Sequence, residues 1–323
     1  MSAPSDLHSS WTNPAPDGLT AVSVTTPDGV ALRAARLRVP AARGTVVILG
    51  GRGDFLERYF ETMRDLMARG LAVATFDWRG TGGSQRMRDG SAVPVVTDFS
   101  RYDTDLETVM KQVVLPDCPP PYYVLAHSMG GPILIRAVAR HNWFERVMTT
   151  GPLLGFVPGT MPVTLGRLTL AGLRFAGLTG LFLPGRRRGS LKTDAFEDNP
   201  LTSDEARWRR DFDTLEQFPA LESPGPRIGW IHAAERATAR LQRQAPRMQL
   251  TCPVMAVAAG MERLVDNRAL MQLATRLHGL AVVVIPSARH EILMEADEVR
   301  AQFWAAFDAF TGLSPPADQG IAA

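Results

Sequence analysis

The strongest constraint on this chain is an alternation. From about Thr20 to Thr150, short β-branched runs alternate with amphipathic stretches; between about Gly151 and Leu250 the strand-like runs stop; from Cys252 to Thr311 the alternation returns. Successive parallel strands need a long crossover between them, and a helix supplies it, so this pattern reads as a mostly parallel sheet covered by helices on both faces. The run without strands reads as an inserted helical unit. The expected fold class is therefore α/β, with a core over 19–150 and 251–312 and a helical cap over 151–250.

The individual runs support this order. Buried strands are expected at Thr45–Leu49, Leu71–Phe76, Tyr122–Ala126, Arg146–Thr149, Pro253–Ala258 and Ala281–Ile285. Helical spacing marks Phe55–Ala68, Tyr102–Val114, the stretch from Gly131 to about Arg140, Asn267–Leu277 and Glu291–Phe310. Residues 1–18, rich in Ser, Pro and Asp, read as a flexible lead-in, and 313–323 as a tail.

Composition excludes several classes. The 35 Lys and Arg against 33 Asp and Glu leave a charge of +2, too balanced for an electrostatic nucleic-acid binder, so no nucleic acid is expected as a partner. Cys118 and Cys252 cannot build a disulfide framework, and no Cys/His cluster has zinc-ligand spacing; neither a metal nor a cofactor is expected. The N-terminus lacks the basic-then-apolar order of a signal peptide, which points to a cytoplasmic protein. The apolar stretch Met161–Pro184 carries Arg167 and Arg174, which argues against a membrane span but not against a segment lying at an interface.

The most informative segment runs from Tyr122 through Ala126-His127-Ser128-Met129-Gly130-Gly131. An apolar strand meets a serine, and a helix follows at once. A nucleophile on such a turn needs small residues two before and two after it, here Ala126 and Gly130, so that the hydroxyl stands clear of the sheet edge. A serine before a helix is also a common N-cap; the flanking small residues and the preceding strand favour the nucleophile. The helix N-terminus places partial positive charge beside a developing oxyanion.

A serine hydroxyl needs a base. Of the six histidines, His8 lies in the lead-in, His127 adjoins Ser128 and should point elsewhere, His141 follows a helix end, His232 lies in the insertion and His278 ends a helix. His290 follows the last strand, where parallel-sheet sites gather, and is the expected base. The loop after the preceding strand, Ala259 to Asp266, offers two acids. Glu262 lies nearer the strand end and is favoured; Asp266 stays open, with helix capping as its alternative role. The oxyanion donors are expected to be the amide of Met129 and that of Arg52, in the Gly50-Gly51-Arg52-Gly53 turn after the first buried strand. The Arg52 side chain is expected to be solvated, with contact to an anionic head group as the alternative.

At these residues the chain resembles α/β-hydrolases of the monoacylglycerol lipase and bacterial lysophospholipase type. The resemblance rests on Gly51-Arg52-Gly53, on Asp77-Trp78-Arg79-Gly80-Thr81-Gly82-Gly83-Ser84, on Ala126 to Gly131, on Glu262 to Arg268 and on His290-Glu291-Ile292-Leu293, with Leu201-Thr202-Ser203 and Gly225-Pro226 in the insertion. It spans nearly the whole chain after Ala21. It implies an α/β-hydrolase fold, a Ser128–Glu262–His290 triad, Arg52 and Met129 as oxyanion amides, and lysophospholipids or monoacylglycerols as substrates. The chain departs from the family in Gly50-Gly51, where most relatives carry His-Gly, and in Glu262, where the usual acid is Asp. A short-chain carboxylesterase or lactonase would use the same parts, and a non-catalytic binding protein on this fold would be expected to have lost one of them.

The insertion would cover the site. Leu165, Leu168, Leu170, Leu173, Phe175, Leu178, Leu181 and Phe182 spread over most of a helix surface, Arg167 and Arg174 share its narrow polar face, and Arg186-Arg187-Arg188 follows. Fourteen Arg and Lys against ten Asp and Glu make the insertion basic. An apolar segment beside a basic cluster suits peripheral contact with anionic membrane; core packing and a solvated basic turn are the plainer alternatives.

Overall fold

The computed structural model describes residues 6–86, 96–157, 172–173, 175–181 and 195–315. Eight strands form one sheet: β1 (Leu19–Thr25), β2 (Ala31–Leu37), β3 (Thr45–Leu49), β4 (Ala72–Phe76), β5 (Tyr122–His127), β6 (Phe144–Thr150), β7 (Val254–Ala259) and β8 (Leu280–Ile285). Their order is β1-β2-β4-β3-β5-β6-β7-β8. β1 and β2 are antiparallel to each other, β2 is antiparallel to β4, and every pairing from β4 onward to β8 is parallel. The direction of winding reverses between β3 and β5, so their C-terminal ends open a crevice at the sheet edge.

All residues of β3, β4 and β7 are buried, which accounts for their unbroken apolar runs. The period-2 rule still sorts the faces. Val46 and Ile48 pack with Leu56, Phe60 and Met63 on one side; Val47 and Leu49 pack with Leu106, Ile133 and Trp230 on the other. The first side is covered by α1 (Phe60–Met67) and, from the far end of the chain, by a helix defined below. The second is covered by α2 (Ser100–Val109), which runs on through a π turn at Met110–Val114, and by α3 (Gly130–Val138).

Between β6 and β7 the described residues hold helices and turns but no strand, the main ones being α4 (Glu205–Gln217) and α5 (Ile228–Gln244). The Asp204 side chain accepts from the Arg207 amide and starts α4. That helix lies on α1: Arg207 and Arg210 both reach Glu61, at 2.7 and 2.8 Å. In α5, Trp230, Ala233, Ala234 and Leu241 turn into the core. α6 (Asn267–Ala274) and α7 (Asp297–Thr311) complete the chain, and α7 is the second helix on the first face.

Two expectations change here, and a third falls largely outside the described residues. The last helix starts at Asp297, not Glu291. The intervening residues are drawn into bonds with the insertion: the Glu291 amide donates to the Leu201 carbonyl (2.8 Å), and buried Glu295 accepts from the Ser203 amide (2.8 Å). Residues 6–18 are not a loose lead-in: the His8 amide and the Asn13 side chain both bond Glu57, and Arg64 holds the Pro14 carbonyl. Of the apolar stretch in the insertion, Leu165, Arg167, Leu168, Leu170, Arg174, Phe182 and Arg186–Arg188 lie outside the described residues. Phe175, Leu178 and Leu181 are exposed and Leu173 is half-buried. Among the described residues no helix is long and apolar enough to cross a membrane.

Arg33 of β2 is fully buried between two carboxylates, pairing with Glu57 at 2.7 Å and Asp77 at 2.6 Å. Asp77 in turn accepts from the amides of Leu56 (2.8 Å) and Gly83 (2.7 Å). A Cβ on Gly82 would lie 2.3 Å from the Asp77 carboxyl and one on Gly83 2.4 Å from Arg33 Nε, so both glycines are needed for the turn to wrap the ion pair. Removing one partner of a buried pair strands the other charge, and Arg33→Met is expected to cost about 3–5 kcal/mol of stability. Arg101→Ala, at an exposed pair with Asp28, should stay within about 0.5 kcal/mol. Urea unfolding of the two variants checks the contrast.

Candidate active site

Ser128 stands at the tip of the turn from β5 into α3. Its φ of +48° puts a non-glycine residue in the left-handed region, a strained conformation that persists only where surroundings hold it. Here the Ser128 amide donates to the Thr150 carbonyl (3.0 Å), and its carbonyl accepts from Gly131 and Leu153 (3.0 and 2.9 Å). A Cβ on Gly130 would meet the Leu49 carbonyl at 2.7 Å, so a glycine there lets α3 dock against the end of β3.

His290, on the loop after β8, brings Nε2 to 3.1 Å from Ser128 Oγ. Its Nδ1 lies 2.7 Å from Glu262 Oε2. The other Glu262 oxygen accepts from three successive amides, those of Arg263, Leu264 and Val265, at 3.0, 2.8 and 3.3 Å. Burial pushes the Glu262 carboxyl upward, but His290 and these amides outweigh it and hold it below its ordinary value. Asp266 is turned away: it caps α6 through the Arg268 amide (3.0 Å) and pairs with the Arg268 guanidinium. The structure thus brings Ser128, His290 and Glu262 into one line and leaves Asp266 outside it.

The Gly50–Gly53 turn lies against this line. A Cβ on Gly51 would come within 2.9 Å of His127 Cδ2 and 3.3 Å of Ser128 Cβ. The turn is pinned from both sides. Trp78 Nε1 donates to the Gly50 carbonyl (2.8 Å), and the Gly51 amide donates to Asp54 (2.6 Å). Among the described residues, the amides of Arg52 and Met129 donate to no protein acceptor. They are the two amides that the sequence singles out.

Several neighbours were not singled out in sequence. Asp54 also accepts from the Tyr59 hydroxyl (2.6 Å) and pairs with Arg58. Arg58 further holds Asp211 of α4, at 2.6 Å, and Glu291 beside the candidate base. The signal available was an acid placed just after a glycine-rich turn. His127 does point away from Ser128's hydroxyl, as expected: its Nδ1 shares a hydrogen bond with Thr150 Oγ1 (3.1 Å), and its ring lies against that of His290. Burial, and then the neighbouring His290, push its pKa down from 6.5 to about 3, so it is a neutral packing element.

The Arg52 side chain departs from the solvated state expected for it. It is half-buried, lies over the ring of Trp230 at 5.2 Å, and donates to the Pro224 carbonyl. Burial pushes its pKa down to about 10. Among the described residues no group of three or more His, Cys, Asp or Glu could hold a metal ion.

A profile of the Serine aminopeptidase, S33 family of hydrolases matches residues 40–297. The chain belongs to this family. It is 31% identical over 284 residues to lysophospholipase L2 of Escherichia coli K12, covering 85% of this chain and 82% of that protein. It is 26% identical over 263 residues to a monoacylglycerol lipase of Mycolicibacterium smegmatis, covering 79% and 84%. Its fold matches a soluble variant of Saccharomyces cerevisiae monoglyceride lipase solved with a substrate analogue, with a TM-score of 0.71 at 21% identity, over 93% of this chain and 97% of that one. The architecture is the α/β-hydrolase fold, and the chain is a hydrolase of that family.

A buried neutral histidine carries a pH signature. The unfolded chain binds a proton at His127 near its ordinary value and the folded chain does not, so stability is lost as pH falls below about 6.5. From about pH 7 to pH 5 this one group accounts for about 2 kcal/mol. His127→Gln is expected to flatten the acid side of the stability curve by about that amount. Urea titrations of both proteins across this range measure the difference.

Proposed function

We propose that the chain is a serine hydrolase of carboxylic esters, working through an acyl-enzyme on Ser128. The observation that carries this reading is the continuous hydrogen-bonded line Glu262–His290–Ser128 beside two unengaged backbone amides. Ser128 Oγ attacks the acyl carbonyl while His290 Nε2 takes its proton. Glu262 holds the imidazole in the required tautomer and stabilises its charged form. The amides of Met129 and Arg52 receive the oxyanion, with the N-terminus of α3 adding partial positive charge. The imidazolium returns the proton to the leaving alcohol. Water then attacks the acyl-enzyme by the same route, with His290 again as base, and the free acid departs.

The substrate reading is a lysophospholipid or a monoacylglycerol, by likeness to relatives that carry those names. Residues 151–250 would act as a cap over the crevice. Exposed Phe175, Leu178 and Leu181 support a cap that meets acyl chains or a lipid surface, because exposed apolar clusters on such a segment need a partner.

A fluorophosphonate probe is expected to label the protein, and Ser128→Ala should abolish labelling and lower kcat by about 10⁴-fold or more. Glu262→Gln should cost about 10²–10⁴-fold in kcat. Asp266→Asn, which keeps a good helix cap, should cost little. Labelling that survives Ser128→Ala would remove the nucleophile assignment; a larger loss at Asp266 would move the acid. On a panel of esters, preference for short soluble chains over long-chain lysophospholipid and monoacylglycerol would replace the lipid reading with that of a general esterase.

A further inference from the structure

Several inward-turned arginines of this core are matched by acids, while Arg64, Arg86 and Arg289 are half-buried and bond backbone carbonyls away from Ser128. Arg33 has Glu57 and Asp77, Arg58 has Asp54, Asp211 and Glu291, and Arg79 has Asp28 and Asp105. Arg52 has none: among the described residues its charge meets only a backbone carbonyl and an aromatic face. A half-buried guanidinium without a counter-charge keeps donors free to take an anion. Its platform is fixed in place. Trp230 is buried, and its Nε1 donates to the Tyr102 hydroxyl at 3.1 Å, so the ring on which the guanidinium rests is held by α2.

Its place in the site gives this cation a meaning. The amide of the same residue is one of the two unengaged donors beside Ser128. An oxyanion on that amide and an anion on the guanidinium would be separated by one arginine side chain. In a 1-acyl glycerophospholipid the ester carbonyl and the phosphorus are separated by a similar number of covalent bonds. The planar fork also matches two phosphate oxygens, which a point charge would not.

We propose that Arg52, braced on Trp230, is the receptor for the phosphate of a glycerophosphate head group, so that the preferred ester is a lysophospholipid and not a neutral monoacylglycerol. This rests on Ser128 being the nucleophile. The substrate would lie with its ester carbonyl at the Arg52 and Met129 amides and its phosphate on the Arg52 side chain, one residue reading both ends of the glycerol. Burial leaves the guanidinium protonated at neutral pH, since its pKa falls only to about 10.

The test compares lysophosphatidylglycerol with monoacylglycerol of the same acyl chain, for the wild type, Arg52→Gln and Arg52→Lys. Arg52→Gln is expected to lose about 10- to 100-fold more kcat/KM on the phospholipid than on the neutral lipid, chiefly in KM, as for a charged hydrogen bond. Arg52→Lys should recover part of that difference. Separately, glycerol 3-phosphate but not glycerol should slow fluorophosphonate labelling of the wild type, and Arg52→Gln should blunt that protection. Equal losses on both lipids, or protection unchanged by the substitution, would make Arg52 a brace for the Pro224 segment and overturn the proposal. A wild type that labels at Ser128 but does not favour the phospholipid would overturn it while sparing the hydrolase reading. Absence of labelling would overturn both.

Discussion

The site depends on a buried guanidinium that never touches it. Arg33 sits with no solvent contact between Glu57 and Asp77, and through them it joins β2, the turn before α1 and the loop after β4. An uncompensated charge at that depth would be untenable, so the three segments are fixed together. The loop after β4 also carries Trp78, whose indole holds the Gly50 carbonyl, while the turn before α1 leads into Tyr59, which bonds Asp54 at the Gly51 amide. The glycine-rich turn beside Ser128 is therefore held in place by an ion pair on the far side of β3 and β4. Preorganised amides of this kind can stabilise developing charge without rearranging when it appears.

A second layer ties the inserted segment to the same frame. Arg58 links Asp54, Asp211 of α4 and Glu291 beside His290. Glu61 gathers Arg207 and Arg210 from α4 and Arg300 from α7. Packing supplies the other attachment, with Trp230 of α5 among Phe99, Tyr102 and Phe156. One side of the insertion is thus bound by charge and the other by aromatic contact.

What could be read from sequence follows from how local each feature is. Ser128 and its flanking small residues lie within one turn, and the strand–turn–helix pattern around them is set by sterics over a handful of positions. His290 was recoverable from its place after the last strand. Glu262 and Asp266 share one loop, and sequence could rank but not separate them; the separation needs the position of the His290 ring. Arg33 was opaque, because an arginine in a strand of alternating character looks like an outward residue, and its acids come from two other segments. The Arg52 side chain was opaque for the same reason: Trp230 arrives from the far side of the insertion, and no local pattern announces the contact.

Glu262 divides its two oxygens between two tasks. One faces His290; the other closes a turn by accepting from the next three amides of its own loop. The same carboxylate therefore positions the base and shapes the loop that carries it, so a change that removes its charge would release the imidazole and leave the loop's amides without their acceptor at the same time.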